Sequence, residues 1–449
     1  MQTNKAKRRL PHFARGFAAL CAALAVAAAG SASAAPTETV LHSFTGGVGD
    51  GIFPFAGLIA DSAGNLYGTT NQGGGSECNG LGCGVVFKLS PGGSETVLHS
   101  FCSLPGCRGG ANPVSGLIAD RAGDLYGTTP GGGAANDGVV FKLSPGGTET
   151  VLYSFCGKPG CSDGAGPGAG LIADRHGNLY GTTGGGGGSG CGGVGCGVVF
   201  KLSPPILPAT KWTETVLHTF AGSDGAGPGG LIADSKGNLY GTTSYGGASD
   251  GGVVFKLAPN GTETVLYSFC SLPSCSDGAL PLGGLIADRA GNLYGTTYEG
   301  GGSECSYPGP GFCGVVFKLS PGGTETVLHS FAGGDDGELP EAGLIADASG
   351  NLYGTTMGGG ATGCPPPGCG VVFKLSPGGT ETVLHAFCSL PGCGDGAYPT
   401  AGLIADSAGN LYGTASGDDP SRMGGVVFKL AGTGFVAPGP SAPSAVSLR

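Results

Sequence analysis

One six-residue motif, Asn-Leu-Tyr-Gly-Thr-Thr, recurs along the whole chain. Its seven copies are spaced 54 to 60 residues apart, and the last one ends in Ala415. The copies begin at Asn65, Asp124, Asn178, Asn238, Asn292, Asn351 and Asn410. A period of this size indicates a repeat architecture, so the fold must follow from the structure of one unit.

Each repeat contains four short apolar segments, which we name strands A, B, C and D. In the first repeat they are 57–61, 65–70, 84–89 and 95–101. They are rich in Val, Ile, Thr, Tyr and Phe, and beyond the N-terminus no window has a sustained 3.6-residue period. Asp-Ser-Ala-Gly separates A from B, and Ser-Pro-Gly-Gly separates C from D. These tight turns predict antiparallel hairpins.

Seven copies of a four-stranded antiparallel unit predict an all-β fold, a seven-bladed β-propeller of four-stranded antiparallel blades. The near-continuous apolar runs in strands A and C are typical of strands buried on both faces. A D-like segment, 38–44, precedes the first repeat, whereas the last repeat stops after a C-like segment, 425–430. We therefore predict that the ring is closed by the N-terminal strand, which removes an exposed sheet edge.

The ends of the chain differ from the repeats. Residues 1–35 combine a basic start, an apolar stretch and a final Ala-Ser-Ala, which predicts a signal peptide. The propeller is expected to span 36–430. Residues 431–449 are rich in Pro, Ala and Ser and predict a flexible tail. Since no later segment is long and apolar enough to span a membrane, we expect a secreted or periplasmic protein.

The net charge of −10 comes without a basic stripe, which argues against nucleic acid as a partner. We expect a monomer, with an unidentified protein or glycan as its ligand.

The cysteine pattern agrees with export. Apart from Cys21 in the signal peptide, the sixteen cysteines form eight local pairs, which predicts disulfides that staple loops rather than hold the ring shut. The pairs are Cys78/Cys83, Cys102/Cys107, Cys156/Cys161, Cys191/Cys196, Cys270/Cys275, Cys305/Cys313, Cys364/Cys369 and Cys388/Cys393. Zinc is the alternative interpretation, and it requires two pairs to come together at one site.

Variation between the repeats is confined to particular loops. The A–B turn is constant and the C–D turn varies once, whereas the D–A and B–C loops vary widely and carry all sixteen paired cysteines. In an up-and-down blade, these two variable loops emerge on the same face. Variable loops on a rigid scaffold favour binding at that face. The alternative is neutral drift of tolerated insertions.

The D–A loops share the motif Asp-Gly-x-x-Pro. Its aspartates are Asp50, Asp163, Asp224, Asp277, Asp336 and Asp395, with Gly109 in the remaining copy. If strand A is innermost, these carboxylates ring the channel mouth and could hold Ca²⁺, the one cofactor that the sequence suggests. The alternative is that each Asp caps its own turn.

Catalytic motifs are missing from the sequence. One D-strand position holds His in five copies and Tyr in two, which indicates packing. The glycine runs lack the Lys-Ser/Thr of a phosphate loop, and no Gly-x-Ser-x-Gly occurs. The sequence therefore favours a non-catalytic binding or interaction scaffold. A lactonase-like or lyase-like propeller enzyme with a metal at the channel mouth, and a structural envelope protein, remain alternatives.

The repeat Gly-Leu-Ile-Ala-Asp-x-x-Gly-Asn-Leu-Tyr-Gly-Thr-Thr, followed by Gly-Val-Val-Phe-Lys-Leu and Glu-Thr-Val-Leu-His-Ser-Phe, resembles the GloVer tandem repeat of exported bacterial "choice-of-anchor" proteins. The resemblance runs from Glu38 to Leu430. It implies export and a propeller-like repeat domain, and it implies no activity. The Asp-x-x-Gly-Asn-Leu-Tyr hairpin is also similar to those of NHL-type and lactonase-type propellers.

Overall fold

The structure is a computed structural model. It describes residues 35–46, 49–206, 208–302, 313–360, 364, 366–417 and 424–438. In this part of the chain the strands form seven four-stranded antiparallel sheets, one per repeat, and the only helices are short 3-10 turns. The predicted seven-bladed β-propeller is confirmed. The predicted signal peptide lies outside the described residues, apart from Ala35.

Strands A and B form the inner half of each blade. The A strands, from blade 1 to blade 7, are Ile59–Ala60, Ile118–Ala119, Ile172–Ala173, Ala226–Ala233, Ile286–Ala287, Ile345–Ala346 and Ile404–Ala405. The B strands are Leu66–Thr70, Leu125–Thr129, Leu179–Thr183, Leu239–Tyr245, Leu293–Thr297, Leu352–Thr356 and Leu411–Ala415.

Strands C and D form the outer half. The C strands are Val85–Leu89, Val139–Leu143, Val198–Ser203, Val253–Leu257, Val315–Leu319, Val371–Leu375 and Val426–Ala431. The D strands of blades 1 to 6 are Glu95–Ser100, Glu149–Ser154, Thr213–Thr219, Glu263–Ser268, Glu325–Ser330 and Glu381–Ala386.

Short elements decorate the loops. One extra two-stranded pair joins Gly51–Ile52 to Gln72–Gly73. The 3-10 turns are Pro105–Cys107, Pro159–Cys161, Cys191–Gly193, Pro273–Cys275, Gly334–Asp336 and Pro391–Cys393.

The N-terminal strand Thr37–Ser43 supplies the D strand of blade 7. It pairs antiparallel with the C strand Val426–Ala431, so that Thr37 lies opposite Ala431 and Ser43 opposite Val426. The sheet order in this blade is D-C-B-A, as in the others. The predicted closure of the ring by the two ends of the chain is therefore confirmed.

Adjacent blades are joined by a repeated aromatic contact. Phe44 directly follows the D strand of blade 7, and its ring packs edge-on against Phe87 of blade 1, with the centroids 5.1 Å apart. The equivalent contact recurs at all seven interfaces at 5.0 to 5.2 Å. The Phe87 ring lies over Gly68, where an added Cβ would come within 2.6 Å of it. This is why the B strand carries Gly between Tyr and Thr.

A ring of hydrogen bonds runs inside this aromatic layer. The first threonine of each motif donates to a carbonyl just before strand A of the next blade, or near its start in blade 4. Thr69, for example, donates to Ser115 at 3.2 Å. The last copy, Thr414, donates to Ala56 of blade 1 at 3.1 Å and so closes the circle. The same contact is made at every interface in between.

The segment after the last C strand lies against the propeller. Phe435 is buried and packs on Tyr353 with ring centroids 5.1 Å apart. The Thr433 hydroxyl donates to the Gly409 carbonyl, and the Ala348 amide donates to Val436. Residues 431–438, which composition assigned to a flexible tail, thus continue strand C and then cover the A–B turns of blades 6 and 7. Residues 439–449 lie outside the described residues.

Because Phe44 lies where the two ends of the chain close the ring, we predict that Phe44→Ala will be among the most destabilising substitutions near the N-terminus. It removes a fully buried ring and its contact with Phe87, which should lower the free energy of unfolding by about 3–5 kcal/mol. Urea denaturation would measure the loss. Thr39→Ala, on the exposed side of the same strand, is the control and should leave the denaturation midpoint unchanged. An equally small effect of both substitutions would mean that this strand does not hold the ring together.

The aromatic layer predicts that Gly68→Ala will be destabilising although alanine suits a strand better than glycine. The new methyl group would overlap Phe87 and Leu58, and overpacking of this kind costs about 1–3 kcal/mol. Gly92→Ala, in the exposed C–D turn, meets no atom closer than 3.9 Å and should be nearly neutral. Thermal melts of the two variants would separate steric overlap from a general effect of losing glycine.

Candidate functional site

The constant face is built from the A–B turns. In blade 1, Asp61 accepts hydrogen bonds from the amides of Ala63 and Asn65, from the Asn65 side chain and from the Tyr67 hydroxyl. Burial raises the pKa of Asp61, but these hydrogen bonds outweigh it and hold the pKa below its ordinary value. The Lys88 ammonium lies 5.7 Å from the Tyr67 ring centroid. The carboxylates of this face are thus engaged in holding the turns.

The opposite face is formed by the D–A and B–C loops. Backbone bridges join them in most blades, for example between Ala111 and Gly131 and between Glu338 and Gly358. The predicted disulfides lie here, and all seven whose cysteines are described form within their local pairs. The eighth pair includes Cys305, which lies outside the described residues. We call this surface the loop face.

The expectation that the cysteines only staple surface loops needs correction for the B–C loops. There the second cysteine of each pair lies just before strand C and is buried between blades. Cys196, bonded to Cys191, is 2% exposed and packs in the core between blades 3 and 4. Cys313 is fully buried in the equivalent core between blades 5 and 6. The same holds for Cys83 and Cys369. Because the sulfur of cysteine is weakly polar, it fills this position as an apolar side chain would.

In two blades the disulfide pairs come together. Cys78/Cys83 of a B–C loop meets Cys102/Cys107 of the following D–A loop, with the Cys78 and Cys102 sulfurs 3.8 Å apart. Cys364, Cys369, Cys388 and Cys393 form the equivalent cluster after blade 6. Two neighbouring pairs are what the zinc alternative requires. The sulfurs are bonded to each other within each pair, however, and disulfide sulfurs are not the thiolates that bind zinc.

The aspartates of the Asp-Gly-x-x-Pro motif cap the loops that contain them. Asp163 accepts hydrogen bonds from the amides of Gly157 and Lys158 and from the Tyr153 hydroxyl. Burial raises the pKa of Asp395, but contact with His385 and hydrogen bonds from its own loop lower it to about 2. The other members of the set accept comparable bonds from their own loops.

Each of these six carboxylates contacts its own loop and the His or Tyr of strand D. Asp163 and Asp277 each bind a tyrosine of the outermost strand, D, and none of the six lines the central cavity. Among the described residues, no cluster of three or more metal-ligand side chains contains two of them. The geometry therefore favours the turn-cap interpretation over a shared Ca²⁺ ring.

Sequence reasoning missed the glutamate that begins Glu-Thr-Val-Leu in every D strand. In blade 1, Glu95 reaches back to blade 7, where its carboxylate lies 3.9 Å from His42 Nε2; the same nitrogen is 3.7 Å from Asp50. In each copy the Oε1 atom is buried without a hydrogen-bond partner. The seven are Glu38, Glu95, Glu149, Glu214, Glu263, Glu325 and Glu381. A charged residue kept at one strand position in all seven repeats was the available signal.

We call this row of side chains between blades the polar seam: the D-strand His or Tyr, the motif aspartate and the glutamate of the next blade. Burial shifts the pKa values of several of them. It raises the pKa of Glu149 to about 7 and lowers the pKa of its neighbour His99, so that burial favours the neutral form of both. Burial likewise raises the pKa of three other members to about 7. These are Glu263, Glu325 and Glu381. At Gly109, where blade 2 lacks the usual aspartate, an added side chain would collide with the Glu149 carboxylate.

The central channel holds a cavity of about 420 Å³. It is lined mainly by glycines that precede the A strands, together with Val114, Leu282 and Glu341. Of the described residues that line this cavity, Glu341 is the one with an ionisable side chain, and burial raises its pKa. Burial also raises the pKa of Tyr298, and the Glu341 charge adds to that shift.

This architecture defines an all-β repeat protein in which one face is constant and the other variable. The chain belongs to the Gloeobacter/Verrucomicrobia repeat family, which it matches over residues 31–195, 81–308 and 306–436. The resemblance in the repeat motif is therefore confirmed.

Solved structures with similar folds are distant in sequence. A gluconolactonase from Xanthomonas campestris is 12% identical over 88% of this chain and 89% of its own, with a TM-score of 0.41. PorZ, a surface component of the type-IX secretion system of Porphyromonas gingivalis, is 15% identical over 85% of this chain and 47% of its own, with a TM-score of 0.48. No curated protein matches the chain.

In the described part of the chain, no helix is long and apolar enough to cross a membrane.

The seam predicts a pH effect that Glu149→Gln should remove. The folded protein holds the Glu149 proton up to a pKa of about 7, against an ordinary value of 4.5. Its contribution to stability is therefore complete below pH 4.5 and is lost as the pH rises through about 7. Glutamine cannot ionise, so the variant should match the parent in acid and exceed its melting temperature above neutrality.

Glu214→Gln is the control for this experiment. Glu214 is almost fully buried and its carboxylate lies 2.6 Å from the Lys158 ammonium. Removal of its charge leaves that lysine without its ion-pair partner and should bring no gain at any pH. Parallel pH profiles for Glu149→Gln and the parent protein would refute the assignment of a raised pKa.

Proposed function

We propose that this protein is an exported, non-catalytic scaffold that binds a protein partner on its loop face. The main observation in support is that one face of the propeller is constant and the other is variable. The A–B turns repeat the same hydrogen bonds from blade to blade, whereas the D–A and B–C loops differ in length and carry every described disulfide. A rigid ring that presents variable, disulfide-bonded loops is well suited to binding a partner. Disulfides are also typical of compartments outside the cytoplasm, which supports export.

Exposed apolar side chains on the loop face favour a protein as the partner. Leu104, Leu272 and Leu390 occupy the same position in three disulfide-clipped D–A loops, and each is about half exposed. Val194, on a B–C loop, and Tyr245, the last residue of strand B in blade 4, are also largely exposed. Apolar and aromatic residues presented on a rigid loop are typical anchors of protein interfaces. A glycan alone would not require leucines at these positions.

The channel supports a subsidiary role in ligand binding. Its cavity is walled by glycine backbone and contains a single carboxyl group, that of Glu341. Hydrolytic propeller chemistry of the kind considered above needs a metal or a second acid–base group beside the first. The described residues around this cavity supply neither a second acid–base group nor a cluster of metal ligands, so the geometry favours binding over catalysis.

A site-specific cross-linking experiment tests the proposal. A photoreactive amino acid placed at Leu104, Leu272 or Leu390 in the full chain should give one discrete cross-linked protein when the variant is returned to its source cells. Matched controls carry the same group at Ser94, Thr148 or Thr324, which are exposed in the C–D turns of the constant face.

The two sets of positions should differ strongly in yield, and mass spectrometry would identify the captured partner. Equal cross-linking from both faces, or none from the loop face, would contradict the proposal. Three separate positions guard against a group that happens to point away from the partner.

A further inference from the structure

Among the described residues, the polar seam contains two sites at which three metal-ligand side chains meet. At the interface of blades 7 and 1 these are His42, Asp50 and Glu95, and their ligand atoms all lie within 4.8 Å of one another. At the interface of blades 3 and 4, the corresponding set is His218, Asp224 and Glu263. In each site the His and Asp come from one blade and the Glu comes from the next, so that a bound ion would bridge two blades.

Two atoms on the side chains of the first site lack hydrogen-bond partners. His42 Nε2 and Glu95 Oε1 are both buried without a hydrogen-bond partner, and the Glu95 side chain is only 11% exposed. In the second site Glu263 Oε1 is also buried and without a partner, whereas His218 Nε2 lies within hydrogen-bond distance of Asp224, at 3.0 Å. A buried polar atom that makes no hydrogen bond costs free energy, and a ligand that satisfies it recovers that cost.

The interface of blades 2 and 3 differs from these two sites in two residues. At the interface of blades 2 and 3 the histidine is replaced by Tyr153, and a lysine appears in the adjoining loop. The Lys158 ammonium lies 2.6 Å from Glu214 and supplies a cation to the glutamate of that interface. Among the described residues, no lysine or arginine forms an ion pair with a carboxylate of either three-ligand site. The seam glutamate is thus paired with a cation at one interface and lacks one at these two.

We propose that the sites His42/Asp50/Glu95 and His218/Asp224/Glu263 each bind one divalent transition-metal ion of the zinc type, which links adjacent blades. Zinc binds both imidazole nitrogen and carboxylate oxygen, and a site with three protein ligands leaves the fourth tetrahedral position to water. Imidazole nitrogen argues against Ca²⁺, which takes oxygen ligands. In each site the ion would give the buried glutamate a cationic partner and neutralise both carboxylates, and in the first site it would also bind the unpartnered His42 nitrogen.

Metal binding to the oxidised full-length protein tests this proposal. After treatment with chelator and desalting without reductant, the protein should take up two equivalents of Zn²⁺, one for each site. The melting temperature should rise with Zn²⁺ and remain unchanged with Ca²⁺. Omission of reductant keeps the cysteines paired, so thiolates do not contribute.

Matched variants assign the equivalents to the two sites. His42→Tyr and His218→Tyr should each remove one equivalent, and the double variant should remove both. Tyrosine is the native residue at this position in blades 2 and 4, so the packing should be preserved. His99→Tyr is the control, because the His99 seam contains Gly109 in place of an aspartate, and it should retain both equivalents.

Glu95→Gln with Glu263→Gln provides a second test in case a tyrosine variant fails to fold. The amide keeps the shape of the side chain and removes the anionic ligand, so this double variant should fold and lose Zn²⁺. Failure of the parent protein to bind Zn²⁺, or undiminished binding by the folded double variants, would overturn the proposal. The result is independent of the partner proposed for the loop face, since neither site includes its exposed leucines.

Discussion

The contact on which the whole ring depends is the edge-on packing of two phenylalanines from adjacent blades, one of which lies over a glycine. The D-strand phenylalanine of one blade, such as Phe44, packs on the C-strand phenylalanine of the next, Phe87, and Phe87 in turn lies over Gly68. A larger residue at Gly68 would push the ring away and separate the blades. Because every blade donates one phenylalanine and accepts another, no blade can bury its apolar surface alone. Stability therefore resides in the interfaces, as it does in repeat proteins generally.

Circular closure follows from the same dependence. An open array would leave the aromatic face of one terminal blade in water and the edge of the other unpaired. The chain avoids both because its first strand belongs to its last blade, and Thr414 completes the hydrogen-bonded ring at Ala56. The disulfide bonds contribute little to this closure, since each clips a few residues on one face. Buried cysteines such as Cys196 and Cys313 add apolar contacts between blades, whereas the bonds restrict the loops, which is the property that recognition requires.

The strand order, blade number and ring closure could be predicted from sequence because they depend on spacing alone. The position of the motif aspartates could not. Their direction depends on whether a side chain turns toward the channel or toward strand D, and contacts with the His or Tyr of strand D decide this. The segment 431–438 was misjudged for a related reason. Its composition is that of a flexible tail, yet one aromatic residue, Phe435, is enough to hold it against Tyr353.

The seam glutamates show how strict repetition can conceal function. A residue present in all seven copies resembles a structural element. For Asp61 and its equivalents in the A–B turns, that interpretation agrees with their contacts. For the glutamates it is incomplete, because each carries a buried oxygen without a hydrogen-bond partner. A purely structural role would be expected to satisfy that atom or to replace the residue with an apolar one, since a buried polar group without a partner is destabilising. The glutamate is present in every blade, beside a position that is His in five copies and Tyr in two. Under the zinc proposal, the interfaces share one scaffold and differ in the cation that each can accommodate.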